Sequence, residues 1–135
     1  MNRDENYELL KYQIKLLQIM ICSVTDDDKY MFYNFVIDHN ISERKTNVIL
    51  KSLGVLKDRI LENEVSSEIK ELCEGIEPLN DLFINKEPSF NEYNDFIRKY
   101  ISKEFEARYL LLALKRQGIY IEVCNYLLKD MESNI

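Results

Sequence analysis

The sequence predicts an all-α fold, a multihelical bundle of five to seven helices, and three observations carry that reading. Turn-formers are scarce: 135 residues hold three glycines and two prolines, against average usage of about 7% and 5%. A β-rich domain needs a turn every few residues, and turns draw on Gly, Pro and Asn. Apolar residues recur at spacings of three and four, and no stretch sustains the alternation of a half-buried strand. Residues suited to helix ends punctuate these runs. The length fits one domain spanning residues 1–135, long enough to bury roughly two-thirds of its unfolded surface without disulfides or metals.

Helix one is expected from about Asp4 to Val24. Tyr7, Leu10, Ile14, Leu17, Ile21 and Val24 form a heptad seam of coiled-coil type. Leu9, Leu16, Ile19 and Met20 add a second stripe, making the apolar face wider than the stripe of about 100° one flat contact needs. Such a helix either sits centrally in the bundle or shares its extra face with another chain. Thr25-Asp26-Asp27-Asp28 should end helix one and cap helix two, where carboxylates complement the macrodipole. The run lacks the further ligands and the glycine of a calcium loop.

Helix two, about 29–38, carries Tyr30, Phe32, Tyr33, Phe35, Val36 and Ile37. That makes it apolar nearly all round and predicts a place deep in the core. Asn40 suits a left-handed C′ position and Ser42 an N-cap. Helix three follows, about 43–61, burying Val48, Ile49, Leu53, Leu56 and Ile60, with Gly54 marking a bend or close packing. The stretch about 62–88 is acidic and is expected to be the most mobile internal segment. It holds one short helix over 66–74 and one further turn or irregular segment at 79–84. Ser89 and Glu92 read as a capping box opening helix five, 90–101. Helix six, about 103–117, bears Phe105, Tyr109, Leu110, Leu112 and Ala113 and closes on Gly118. The last helix runs from about 119 to 131, with Val123, Tyr126 and Leu127 inward.

Two stretches resemble the YhaI-like family, small helical proteins of low-GC Gram-positive bacteria. The first is LLKYQIKLL followed by DKYMFYNFVIDHNISE, within Leu9 to Glu43. The second runs from Phe90 to Met131 and includes the turn from Ala113 to Gly118. Together they cover a little over half of the chain, and the middle, about Val55 to Glu87, is longer than in the family. The resemblance implies a multihelical fold. It brings no catalytic residue, cofactor or substrate.

Several function classes lose support. The net charge of −6 opposes duplex or membrane binding driven by bulk electrostatics, since phosphate contacts need a basic face. Cys22, Cys73 and Cys124 have neither CxxC nor zinc spacing, so they read as buried free thiols of a reducing, cytoplasmic compartment. Met1 to Glu8 lacks a basic leader, and Lys11, Gln13, Lys15 and Gln18 interrupt the apolar run of helix one, so no membrane span is expected. His39 is the only histidine and no nucleophile elbow, P-loop or zinc motif appears. The reading is therefore a non-enzyme without metal or cofactor: an interaction or regulatory protein, self-associating through Tyr7, Leu10, Ile14, Leu17, Ile21 and Val24, with room for a second protein partner. The alternative is a DNA-binding regulator using helices about 29–38 and 43–61 as a helix-turn-helix-like pair. There Arg44, Lys45, Thr46 and Asn47 would reach base edges.

Overall fold

The computed structural model describes residues 2–24 and 27–133, without the side chains of Val24 and Asp27. Its elements are α1 (Arg3–Val24), a 3-10 turn (Asp27–Tyr30), α2 (Met31–Asp38), α3 (Glu43–Glu62), α4 (Ser67–Leu72), a second 3-10 helix (Glu77–Leu82), α5 (Phe90–Tyr100), α6 (Ala107–Gln117) and α7 (Ile121–Ser133). The fold is all-α, with no strand among the described residues. Of the expected capping run Thr25-Asp26-Asp27-Asp28, Thr25, Asp26 and the Asp27 side chain lie outside what is described.

The central element is α3. Ser42 opens it by accepting the Lys45 amide N–H at 3.2 Å. Val48, Ile49, Leu53, Val55 and Leu56 are buried against the second 3-10 helix, α7 and α4. Gly54 marks close packing, as one of its two expected roles: a Cβ there would stand 3.4 Å from the Tyr120 hydroxyl. The second hub is α6, which buries Leu110, Leu111 and Leu114 against α2, α7 and α5.

Helix two is not deep in the core. Phe32 is its one buried residue among those described, and Tyr33 and Ile37 are exposed. The reason is its single large neighbour, α6; an eight-residue helix leaning on one partner keeps its other faces open. It also starts two residues later than expected. Its first amides are capped from across the fold, with the Gln117 side-chain carbonyl accepting from Phe32 N–H at 2.8 Å and Tyr33 N–H at 3.2 Å.

The same device moves two other boundaries. Helix six begins at Ala107 rather than Lys103 because Asn94 of α5 accepts the Ala107 N–H at 2.8 Å. Ser102–Glu106 stays outside the helix, with Ser102 Oγ accepting the Glu104 amide. The last helix begins at Ile121 because Tyr120 adopts φ 49°, a left-handed conformation that interrupts the helix. At α5, Asp130 of α7 accepts the Phe90 amide at 2.8 Å.

The capping box at Ser89 is half made. Ser89 Oγ accepts the Glu92 N–H at 3.1 Å, but the Glu92 carboxylate is engaged by Arg59 at 2.6 and 2.7 Å. A guanidinium with no exposure requires a paired charge, and that demand outranks the local cap. Arg59 also donates to the carbonyls of Leu82 (3.2 Å) and Lys86 (2.9 Å). These bonds fasten the acidic stretch to α3. Further fastening comes from Asp58, which accepts the Ser66 N–H and hydroxyl, and from buried Leu79 and Leu82.

Candidate functional site

The unusual surface of the molecule is α1. Among its described side chains, none of this 22-residue helix joins the core or packs against it as a partly buried hydrophobic. Tyr7, Leu10, Ile14, Leu17 and Ile21 are all exposed, Leu10 by 58% and Leu17 by 56%. Leu9, Tyr12, Leu16, Ile19 and Met20 are exposed too. At about 100° per residue, these side chains spread over roughly two-thirds of the helix circumference. Val24, the last residue of the expected seam, lies outside the described side chains.

The reason is an inverted orientation. The narrow polar stripe of α1 faces the body. The Gln18 amide donates to Asp38 at 2.9 Å and to Asn34 at 3.5 Å. The Asn34 amide donates to the Cys22 sulfur at 3.4 Å. Lys11 and Lys15 flank the same cleft, opposite Val36, Ile37 and Asp38. The central placement available to a helix this apolar is therefore not adopted. The sequence pattern shows how apolar the helix is, but not which side meets the body, because that is decided by a few polar groups on α2.

Beside α1 lies a groove of about 490 Å³ between α2 and α6. The edge-to-face pair Phe35–Phe105, 4.7 Å between centroids, forms its floor, and His39 packs tilted against both rings, with centroids at 4.3 and 4.8 Å. Exposed Tyr109 and Leu112 form the α6 wall. Asn34 and Asp38, which hold Gln18, also line it. Tyr109 and Leu112 are among the apolar residues that the sequence places on this helix. Their separation from the buried Leu110, Leu111 and Leu114 is the signal that α6 has a second, uncovered side.

The residues considered for base reading sit on the first turn of α3. Arg44, Lys45 and Asn47 are exposed and Thr46 is half-buried. Lys45 is committed, its ammonium donating to the Ile101 carbonyl at 3.0 Å. The Thr46 hydroxyl bonds back to Ser42 O at 2.9 Å.

Reactive groups are dispersed and engaged. Burial pushes the Cys124 thiol up to about 12 and also raises Cys73. The Tyr93 hydroxyl, fully buried, is raised by the same cause and bonds Ser52 at 2.8 Å. Among the described residues no group of His, Cys, Asp or Glu could hold a metal ion, and no helix is long and apolar enough to cross a membrane.

No protein-family model matches the chain, and no curated protein or solved structure does. The likeness to the YhaI-like family rests on the two stretches quoted from the sequence.

Proposed function

We propose that this chain is a non-enzymatic, cytoplasmic interaction protein that associates with copies of itself through α1. The observation that carries this reading is the outward apolar face of α1. Ten large apolar side chains there are exposed. Each being about half open, they present on the order of 1,000 Å² per copy, above the roughly 800 Å² per partner of a standard interface. Surface of this size left in water costs about 25 cal/mol per Å². Symmetric pairing of identical helices is the commonest remedy in soluble proteins.

The placement of the reactive groups supports a role without catalysis. His39 is packed between aromatic rings, and two of the three thiols are buried. Three free thiols support a reducing compartment. The commitment of Lys45 and the use of α3 as the core helix favour this reading over duplex recognition. Sedimentation velocity or light scattering at micromolar concentration tests it. A mass above one chain is expected; a folded monomer overturns the proposal.

A further inference from the structure

We propose that the α2/α6 groove is the seat for α1 of a second copy, so that each α1 gives one seam to its partner's α1 and the other to its partner's groove. This rests on the self-association reading and assigns it a second surface.

The first argument is width. A single helix–helix contact consumes a stripe of about 100°, and α1 carries two. Tyr7, Leu10, Ile14, Leu17 and Ile21 form one seam; Leu9, Tyr12, Leu16 and Ile19, exposed as well, form the other. Pairing α1 with α1 alone leaves the second seam in water.

The second argument is continuity. Gln18 of α1 is bonded to Asn34 and Asp38, the residues that form one rim of the groove. The chain's own α1 therefore lies along that rim with its apolar side turned away. A helix arriving from a partner would lie alongside that α1 and against the exposed Tyr109 and Leu112 of α6. In a two-fold dimer the contact is reciprocal, each α1 being both wall and guest.

The third argument is length. At 1.5 Å per residue, the Met31–Asp38 and Tyr109–Arg116 walls each run about 10 Å, and Tyr12, Leu16 and Ile19 cover the same span on α1.

Two measurements on the full chain decide. In a Cys22→Ser background, protein carrying Ile19→Cys is mixed with protein carrying Leu112→Cys and oxidised gently. A disulfide joining the two different chains is expected. Separately, Leu112→Lys should leave the circular dichroism of the body intact while lowering the mass toward one chain, with dissociation at least tenfold easier. If Leu112→Lys keeps the wild-type mass and no mixed disulfide forms, the groove assignment is wrong while self-association stands. If the wild-type chain is itself monomeric, both fall.

Discussion

At the scale of single residues, Arg59 shows how one buried cation organises its surroundings. It joins α3 to α5 through Glu92 and to the acidic stretch through two carbonyls. Removing one partner of a buried pair leaves the other uncompensated, typically at about 3–5 kcal/mol. Arg59→Met should therefore lower the unfolding free energy, measured by urea titration, by an amount in that range, and Arg59→Lys should not restore it, because an ammonium cannot reach the carboxylate and both carbonyls in fork geometry. Cys124 provides a pH signature. Its thiol rises from 9.0 to about 12 on burial. A group raised in the fold stabilises it below its unfolded value and loses that contribution as pH climbs through the folded value. Stability should thus fall between about pH 9 and 12, and Cys124→Ala should flatten that limb of the alkaline denaturation curve. Cys124 is a buried free thiol, as the sequence predicts, but the burial of Arg59 could not be read from sequence alone. Arg59 lies inside an amphipathic pattern where a long cation normally snorkels to water, and its burial depends on Glu92, 33 residues away.

At the scale of elements, existence was legible and limits were not. Ser42, Asn40 and Gly118 fill the expected end positions because such caps are local: each needs only its own turn. The starts of α2 and α6 shifted because Gln117 and Asn94 act from other helices, and helical periodicity within one element does not show a cap supplied by another. Asn94→Ala should accordingly destabilise the fold by about 1 kcal/mol, as loss of an N-cap does, with the earliest hydrogen-exchange changes at the first turn of α6. For α1 the heptad pattern was plain, and its orientation was not. Since Leu17 is exposed, Leu17→Glu should yield a folded body with reduced mass in solution rather than an unfolded chain. Loss of the near-ultraviolet signal of the tyrosines and phenylalanines of the core would contradict this.

At the scale of the whole molecule, the core is closed by α3, α5, α6 and α7, with no contribution from the described side chains of α1. Anything that covers α1 therefore adds to a body already formed. Binding that favours the folded state raises its apparent stability by mass action. The midpoint of thermal unfolding should climb with protein concentration, and a variant lacking the α1 seams should melt at one temperature throughout. Because the proposed contact is mainly apolar, raising salt should weaken it little, unlike exposed ion pairs, which are screened beyond about 10 Å at 0.1 M.

The inward polar stripe of α1 has one more consequence. A body that is complete by itself and an arm held by a few bonds from Gln18 and Cys22 make folding and assembly separate events with separate thresholds. Under the proposed self-association, such a chain would report its own abundance. The arm would stay bare when copies are few and be covered once they accumulate past the dissociation constant. Expression level would then be the input and quaternary state the output.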